Sequence, residues 1–348
     1  MHAVILAAGQ GSRMSGITRA SPKTMIRLAG MTILERLILS LRAAGLGKIT
    51  VGCGWQGNEI IDMISGLGFG ESLFARRITN YEIGPLQTLV TLLDTVDERS
   101  FLACPADYLV DPSLVFSFLS RSSERNSHTL CLAVDAERSV GSRVYVREDG
   151  SIAQIGGQNR SEVKGLCAVG VSTMLLAGGT EVKNEFRRLL EAGETSVRSV
   201  LNEIASSSIR VYPVPVSGFW HDFDTISDVL SVLPKLIDEA SPRHDTLLVK
   251  SGDGIEFGDT LTLPSGITIE SNVQLIGPVC IEESRIGSGS RIGPNVSIGK
   301  GTYVPSHCSI DNSVLYGDPK LEQGLHITNM VAHSAGRMFG DTKYAKQI

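Results

Sequence analysis

The chain has 348 residues, more than twice the ~150 of a typical single domain, so we expect two domains. Hydrophobic residues make up 42% and charged residues 20%, a globular composition that excludes an intrinsically disordered chain. The 32 Lys and Arg against 37 Asp and Glu give a net charge of −5, so the chain has no overall attraction for nucleic acid or for an anionic membrane.

The N-terminus and the cysteines indicate the compartment. The first apolar run, residues 3–8, is too short for a signal peptide or a membrane span and has no basic region before it, so we predict a buried strand. The six Cys residues are scattered without a C-x-x-C motif, as free thiols are in a reducing compartment. We therefore expect a cytoplasmic protein without structural zinc.

Up to residue 240 the sequence alternates short apolar runs with helical periodicity, which predicts an α/β domain with a mainly parallel sheet. Thr32 and Glu35 form a predicted capping box for a helix that ends at Gly45. The further predicted elements are a strand over 49–53, a helix from Pro85, a strand over 101–104, a helix capped by Asp111, a hairpin over 143–155, a helix over 180–190 and a last helix from Thr225 to about 240.

Beyond residue 250 the sequence becomes rich in β-branched residues, Gly, Ser and Asn, and an aliphatic residue recurs every six positions. A six-residue period predicts a parallel β-helix with three short strands per coil, in preference to an antiparallel sandwich. We predict almost three coils over 251–330, after a linker over 241–250 and before a C-terminal tail over 331–348. The periodic residues are Ile267, Val273 and Val279, then, after one inserted residue, Ile286, Ile292, Ile298, Val304 and Ile310.

A glycine-containing loop follows the first predicted strand, at the edge of the sheet where open α/β proteins bind ligands. Gly9 and Gly11 would let backbone N–H groups approach phosphate oxygens, and Arg13 and Lys23 add positive charge. The loop lacks the Gly-Lys-Ser/Thr of a P-loop, and Met14 stands where a dinucleotide fingerprint needs its third glycine.

The whole string Ala-Ala-Gly-x-Gly-Ser-Arg-Met over 7–14, followed by Pro-Lys at 22–23, resembles the signature of the nucleotidyltransferases that make nucleoside diphosphate sugars, the sugar-1-phosphate pyrophosphorylases. The resemblance continues at 103–107 and at 218–225, close to the family's Trp-x-Asp-x-x-Thr, and covers roughly residues 2–235. It implies a Rossmann-like mixed sheet of glycosyltransferase-A-like type. Many members carry a left-handed, hexapeptide-repeat β-helix behind that domain.

The resemblance implies an Mg²⁺-dependent transfer of a nucleotidyl group from an NTP to a sugar 1-phosphate, with release of pyrophosphate. Arg13 and Lys23 would act as catalytic residues by contacting phosphate oxygens. Asp107 and Asp222 would hold Mg²⁺, and Asp224 is a further candidate ligand, whereas His221 would only neighbour the metal. Catalysis would consist mainly of positioning and charge neutralisation, because a phosphate monoester is already mostly dianionic at neutral pH.

The resemblance also implies a nucleotide subsite and a sugar-phosphate subsite. Gln87 replaces the glycine of the family's Leu-Gly-Thr, so we expect its amide to meet the edge of the base. Residues 156–160 replace the family's Glu-Lys-Pro, so Lys164 or Arg160 would supply the missing cation, beside Gly170. The residues implied for the nucleotide are Leu6, Ala7, Ala8, Gly9, Gly11, Ser12, Gln87 and Thr88.

Three other functions are compared with this one. Asp224 stands where many relatives have Gly, as in cytidylyltransferases acting on an alcohol phosphate such as inositol phosphate or choline phosphate, which remain an alternative. A non-catalytic regulatory or assembly subunit is a second alternative, although it would not need to retain Arg13, Lys23, Asp107 and Asp222. Acetyl transfer by the β-helix would need a longer helix than the repeat indicates.

We expect the β-helix to be a structural module through which the chain forms a homo-oligomer, because a short β-helix ends in unpaired strand edges. The expected partners are therefore an NTP, a sugar phosphate and further copies of the chain, with no nucleic acid and no membrane. A chain cut after Ser241 is expected to remain active in its soluble fraction.

Overall fold

The structure, a computed structural model, describes residues 1–11, 14–18, 21–123, 128–156, 166–263, 265–334 and 336–339. The chain forms two compact units. The first consists of Met1–Gly9 and Arg36–Trp220, and the second of Gln10–Glu35 and His221–Ile348. These units differ from the consecutive segments 1–240 and 251–330 that the sequence suggests, because residues 10–35 belong to the unit that contains the C-terminal part of the chain.

The described residues form helices and strands with the following bounds. The α-helices are α1 (Ser15–Thr18), α2 (Ile33–Ala43), α3 (Gly57–Gly66), α4 (Pro85–Leu93), α5 (Pro112–Ser122), α6 (Thr180–Glu191), α7 (Val197–Ile204) and α8 (Ile226–Glu239), and 3-10 turns lie at Lys23–Met25, Gly70–Ser72 and Tyr81–Ile83. The strands are β1 (His2–Ala7), β2 (Arg27–Leu28), β3 (Met31–Thr32), β4 (Lys48–Cys53), β5 (Leu73–Arg77), β6 (Ser100–Pro105), β7 (Tyr108–Val110), β8 (Thr129–Asp135), β9 (Arg143–Val146), β10 (Ile152–Ile155), β11 (Cys167–Gly179), β12 (Arg210–Val216), β13 (Trp220–Asp222), β14 (Leu247–Val249), β15 (Gly254–Phe257), β16 (Leu261–Thr262), β17 (Thr268–Ile269), β18 (Val273–Ile276), β19 (Val279–Ile281), β20 (Arg285–Ile286), β21 (Arg291–Ile292), β22 (Val296–Ile298), β23 (Tyr303–Val304), β24 (Ser309–Asp311), β25 (Ser313–Leu315), β26 (His326–Thr328), β27 (Met330–His333) and β28 (Gly336–Phe339).

The first unit is built on one mixed sheet, which confirms the predicted α/β class. Its strands lie in the order β10-β9-β11-β6-β1-β4-β5, with β8 paired to β11 and to β12. β1 runs parallel to β4 and β6, whereas β11 runs antiparallel to β6, β8 and β9. Ala3, Val4 and Ile5 are completely buried, as expected for a central parallel strand that is covered on both faces.

The local sequence signals are confirmed with one exception. Glu35 N donates to Thr32 Oγ1 at 3.0 Å and Thr32 N to Glu35 Oε2 at 3.4 Å, which is the predicted capping box of α2. Gly45, with φ +94°, follows the end of that helix. Asp111 does not cap α5 through its side chain, because its carboxylate accepts a bond from Phe219 N at 3.3 Å instead.

In the second unit, residues 268–333 form the coils of a parallel β-helix. Neighbouring strands in its sheets are 17 or 18 residues apart in sequence, as when Thr268 pairs with Arg285 and Arg285 with Tyr303. Each coil is therefore three units of five or six residues. All eight periodic aliphatic residues predicted to point inward are at most 1% exposed, so the interior of the helix is a continuous apolar core.

The β-helix extends beyond its predicted limits. Leu247–Val249 lies within the segment expected to be a linker and pairs antiparallel with β19. Parallel pairing continues through β26 and β27, so a fourth layer of strands reaches into the segment expected to be a tail. The six-residue pattern misses this layer because residues 316–325 interrupt the period. β28 pairs antiparallel with β27, so the last strand of that sheet is paired within the chain.

The segment 10–35 is bonded to the β-helix within the second unit. Arg27 Nη2 donates to Glu282 Oε2 at 2.5 Å, and Ala29 N donates to Ser297 Oγ at 3.0 Å. The Glu282 side chain is only 6% exposed, so this ion pair is largely removed from solvent.

No helix in the described part of the chain is long and apolar enough to cross a membrane.

Candidate active site

A cavity of about 470 Å³ lies in the first unit, at the carboxyl ends of β1 and β6. This is the edge of the sheet where the sequence predicts ligand binding. The wall is largely apolar, and backbone from the starts of α4 and α7 contributes to it. Its lining residues are Leu6, Ala8 and Gly9 after β1, Tyr81, Gly84, Pro85, Thr88 and Leu89 around the start of α4, Ala103, Cys104, Pro105 and Asp107 at β6, Met174 and Leu176 on β11, and Ser196, Val197 and Arg198 at α7.

The end of β1 lies close to neighbouring backbone. Leu6 and Ala8 line the cavity, and the intervening Ala7 is buried but does not line it, as the alternation of a strand requires. Trp55 N donates to the Ala8 carbonyl at 3.1 Å. A Cβ on Gly54 would lie 2.6 Å from that same oxygen and 2.7 Å from the Tyr81 ring, so only glycine fits there. Gly54 is not part of any motif recognised in the sequence.

Gln87 and Thr88, the two residues predicted to contact the base, point in different directions at the start of α4. Thr88 is buried and lines the cavity. Gln87 does not line it, and its amide donates to Thr91 Oγ1 at 3.0 Å, one helical turn further on. Neighbouring helical residues point about 100° apart, so a helix that turns Thr88 toward the cavity turns Gln87 away. The position of Gln87 therefore does not support the expected contact with the base.

Asp107 brings a carboxylate to the cavity wall just beyond β6. Cys104 lines the same wall, and burial together with the charge of Asp107 raises the pKa of its thiol far above the usual range. The thiol is consequently protonated at neutral pH and is not a thiolate nucleophile. Asp107 and Arg198 are the charged residues among the described residues that line the cavity.

Trp220, two residues before the predicted metal ligand Asp222, is fixed by polar contacts in the first unit. Its indole Nε1 donates to Asp135 Oδ2 at 2.8 Å, and the Arg138 guanidinium carbon lies 3.9 Å from the ring centroid. Asp135 Oδ1 also accepts from Arg138 N at 3.2 Å, so the three side chains support one another. These contacts hold the Trp220 side chain in place within the first unit.

Lys23 and Gly11 lie together in the second unit. Gly11 has φ +63°, and its carbonyl accepts bonds from Met14 N at 2.9 Å and from Thr18 Oγ1 at 3.1 Å. A Cβ on Gly11 would lie 3.0 Å from Lys23 Cβ, so a side chain at position 11 would press on the lysine. Lys23 is 8% exposed, and its ammonium lies 3.8 Å from Asp224 Oδ1.

Asp222 is the last residue of β13, and Asp224 lies in the turn between β13 and α8, which a capping box holds. Asp228 Oδ2 accepts from Thr225 N at 2.6 Å and from Asp224 N at 3.0 Å, while Thr225 Oγ1 accepts from Asp228 N at 3.2 Å. Asp222 itself is exposed. His221 Nε2 lies 2.9 Å from the Asp228 carbonyl oxygen, so that ring nitrogen is engaged with the helix.

Of the remaining predicted site residues, Gly170 lies in the part of the chain that the structure describes. Gly170 lies on β11 with φ +143°, and a Cβ there would lie 2.3 Å from the Asp135 carbonyl, so close packing between strands accounts for this glycine. It does not line the cavity. Ser12, Arg13, Arg160 and Lys164 lie outside the described residues.

The carboxylates present suit a hard divalent cation. No group of three or more His, Cys, Asp or Glu within the described ranges could hold a metal ion by itself. Mg²⁺ does not need such a cage, since it is usually bound by one or two carboxylates together with water and substrate phosphates. Asp107 at the cavity wall offers one oxygen donor of that kind in the first unit, and the exposed Asp222 offers one in the second unit. The chemistry of each carboxylate fits Mg²⁺.

Comparisons with known proteins agree with this fold. The family model described as "MobA-like NTP transferase domain" matches residues 3–208. A glucose-1-phosphate thymidylyltransferase from Streptomyces griseus is 23% identical over 321 residues, which cover 90% of this chain and 85% of that protein. "Probable mannose-1-phosphate guanylyltransferase 2" from Oryza sativa subsp. japonica is 21% identical over 371 residues, with 99% and 94% covered. The solved inositol-1-phosphate CTP transferase of T. maritima matches with a TM-score of 0.53 at 18% identity, covering 69% of this chain and 98% of that one.

Proposed function

Since the chain belongs to the MobA-like NTP transferase domain family, we propose that it transfers a nucleotidyl group from an NTP to a sugar 1-phosphate. The observation that carries the proposal is the cavity at the carboxyl ends of β1 and β6. It brings Ala8 and Gly9 of the glycine-loop motif, with Leu6 just before them, together with Asp107 of the second motif. These are two of the three sequence strings on which the resemblance depends.

The reaction needs no redox partner and no covalent intermediate. A phosphate oxygen of the sugar 1-phosphate attacks the α-phosphorus of the NTP. The bond from that phosphorus to the bridging oxygen of the β-phosphate breaks, and pyrophosphate leaves with the bonding electrons. The products are a nucleoside diphosphate sugar and pyrophosphate, so atoms and charge balance. The protein must bring two anions together and stabilise the charge of the leaving group.

Each proposed residue answers one of these needs. Asp107 and Asp222, with Asp224 as a further candidate, would hold Mg²⁺, which when bound neutralises phosphate charge. Lys23 and Arg13 would contact phosphate oxygens, and the carboxylate of Asp224 at 3.8 Å would orient the Lys23 ammonium. The nucleotide would contact Leu6, Ala7, Ala8, Gly9, Gly11, Ser12 and Thr88, and the sugar phosphate would lie on the side of Lys164 and Gly170.

The relatives favour a sugar phosphate over an alcohol phosphate as the acceptor. The two proteins named for sugar 1-phosphates match 90% and 99% of this chain. The inositol-phosphate enzyme matches 69% of the chain, at an identity that reports on the fold alone. One relative is named for thymidylyl transfer and the other for guanylyl transfer, so the base remains to be found by experiment. We further propose a cytoplasmic enzyme that forms a homo-oligomer through a left-handed, hexapeptide-repeat β-helix.

A substrate matrix tests the proposal. The full-length protein with Mg²⁺ is incubated with each of ATP, CTP, GTP, UTP and dTTP against a panel of sugar 1-phosphates, inositol 1-phosphate and choline phosphate, and pyrophosphate release is measured. We expect release with at least one sugar 1-phosphate, accompanied by the matching nucleoside diphosphate sugar in the mass spectrum. Pyrophosphate release with inositol 1-phosphate or choline phosphate, and with no sugar 1-phosphate, would show that the acceptor is an alcohol phosphate. No release from any pair would contradict catalysis.

A further inference from the structure

The cavity wall contains a cation that the sequence analysis did not select. Arg198 lies in the first turn of α7, is exposed, and lines the cavity. Within the described part of the chain it has no hydrogen-bond or salt-bridge partner. Other arginines of the first unit are engaged, as Arg147 is with the Ile152 carbonyl at 2.6 Å and Arg210 with Asp149 at 3.6 Å. Arg198 is therefore available to a ligand.

The backbone that carries Arg198 is held against the rest of the unit. Leu86 N at the start of α4 donates to the Thr195 carbonyl at 3.0 Å, and a Cβ on Gly84 would lie 2.8 Å from that oxygen. Ser196 caps α7 by accepting a bond from Ser199 N at 3.3 Å. The backbone from which the Arg198 side chain extends is therefore hydrogen-bonded to the start of α4.

Arg198 lies on the side of the cavity away from β1. Asn202 of α7 bonds to both backbone groups of Ile155, at 2.7 and 3.1 Å, which places the helix against the end of β10. A Cβ on Gly156 would lie 3.5 Å from Arg198 Cδ and 3.9 Å from its Nε, so the side chain passes over Gly156. In the sheet, β6 and β11 separate β1 from β9 and β10. β11 is two strands away from β1, and with neighbouring strands about 4.8 Å apart the two strands are about 10 Å from each other.

The location matters because the sequence there lacks the lysine that the resemblance implies for the sugar phosphate. Residues 156–160 read Gly-Gly-Gln-Asn-Arg, where the resembling enzymes have Glu-Lys-Pro with a lysine for the sugar phosphate. Arg198 extends beside the first of these residues from a different element. Of the residues proposed for the nucleotide, Leu6, Ala8 and Gly9 line the cavity from the end of β1, and Thr88 lines it from α4.

We propose that Arg198 binds the phosphate of the acceptor and so positions the attacking oxygen, an inference that rests on the proposed function. A guanidinium can form two parallel hydrogen bonds to one phosphate, which fixes its orientation as well as its charge. The dianionic acceptor must remain near a second anion, the NTP, and Arg198 compensates part of that repulsion. Its loss should therefore weaken binding of the acceptor and leave binding of the NTP nearly unchanged.

Steady-state kinetics with the substrate pair found in the matrix test this assignment. Arg198→Ala is compared with Arg198→Lys and with Arg210→Ala, an arginine of the same unit outside the cavity wall. Since a hydrogen bond to a charged group contributes about 1.5–3 kcal/mol, Arg198→Ala should raise the acceptor KM by about tenfold or more. The NTP KM should change less than about twofold, Arg198→Lys should lie between, and Arg210→Ala should match the wild type.

The result that overturns the proposal is an acceptor KM in Arg198→Ala equal to that of the wild type, or an equal rise in both KM values. If the wild type turns over no pair, the proposed function fails, and a titration with inorganic phosphate then decides about Arg198. Phosphate binding by the wild type that disappears in Arg198→Ala supports a phosphate contact. Absent binding, or equal binding by both proteins, overturns it.

Discussion

The two units of the chain are built in different ways, and each contains some of the residues proposed for catalysis. The first unit is a mixed sheet with its own cavity, and it contains Asp107, Thr88 and Arg198. The second contains Lys23, Asp222 and Asp224 together with the β-helix. Catalytic candidates thus belong to the same compact unit as a module that the sequence suggests is only structural. The comparison shows that domain boundaries drawn along the sequence do not predict which compact unit a residue belongs to.

The contacts of segment 10–35 explain why the sequence misleads here. The segment lies more than 200 residues before the β-helix, yet Arg27 pairs with Glu282 and Ala29 with Ser297. Breaking a largely buried ion pair leaves an uncompensated charge, which is costly. The segment that carries Lys23, and Arg13 by sequence, is consequently stabilised by residues of the β-helix. The expectation that a chain without the β-helix stays active does not fit this structure.

The largest expected effect is therefore that of truncation. A chain ending at Ser241 lacks Glu282 and Ser297, so segment 10–35 loses its bonds to the β-helix. We therefore expect no measurable pyrophosphate release. A chain ending at Phe339, which keeps all the described strands, serves as the control and should retain activity. Full activity of a soluble, folded Ser241 truncation, as judged by circular dichroism, would show that catalysis needs nothing from the β-helix.

The second prediction concerns the first unit. Asp107→Asn removes one anionic oxygen ligand from the proposed Mg²⁺ site and should lower kcat by about 10²-fold or more, since charge neutralisation dominates the reaction. The thermal midpoint should stay close to that of the wild type. Asp94→Asn, at a half-exposed aspartate that pairs with Arg187, is the matched control. Near-normal turnover by Asp107→Asn would remove this residue from the site.

The third prediction separates the ion pair of the second unit from ordinary surface pairs. Arg27→Met leaves the largely buried Glu282 unpaired, and because Arg27 is 32% exposed we expect a loss of about 1–2 kcal/mol in the free energy of unfolding. The double variant Arg27→Met/Glu282→Met removes both charges and leaves neither unpaired, so it should recover part of this loss. Arg285→Met, which breaks the more exposed pair with Glu270, should cost less than about 1 kcal/mol.

Urea unfolding of the four proteins measures these differences. If the double variant is less stable than Arg27→Met alone, the two side chains do not stabilise the protein as an ion pair, in contradiction to the contact between them. If Arg27→Met also raises the KM for the NTP, the β-helix affects the nucleotide loop through this contact.

The smallest expected effect is at α4. Gln87→Ala should change the preference among the five NTPs by less than about twofold, because its amide is bonded to Thr91. Thr88→Ala, which alters a cavity-lining residue, should change the NTP KM by more. A reversal, in which Gln87→Ala alters the preferred base and Thr88→Ala does not, would restore the role that the sequence suggests for Gln87.

Much of the fold was predictable because its signals are local. The capping box at Thr32, the glycine at position 45 and the six-residue period each act within a few residues. The cavity-lining positions of Leu6, Ala8 and Gly9 follow from strand alternation and the motif. Arg198 was not predictable in this way, because its importance comes from the packing of α7 on β10. Its signal in the sequence is a cation in the first turn of a helix, where the helix dipole disfavours one.

The most direct test of the central claim follows the α-phosphate of the NTP. The full-length protein is given the preferred NTP with ³²P at the α-position, together with its sugar 1-phosphate, and the products are separated by chromatography. Nucleotidyl transfer predicts that the label appears in a nucleoside diphosphate sugar and is absent from pyrophosphate. Label that remains in a free nucleoside mono- or diphosphate, with none in a sugar nucleotide, would contradict the account.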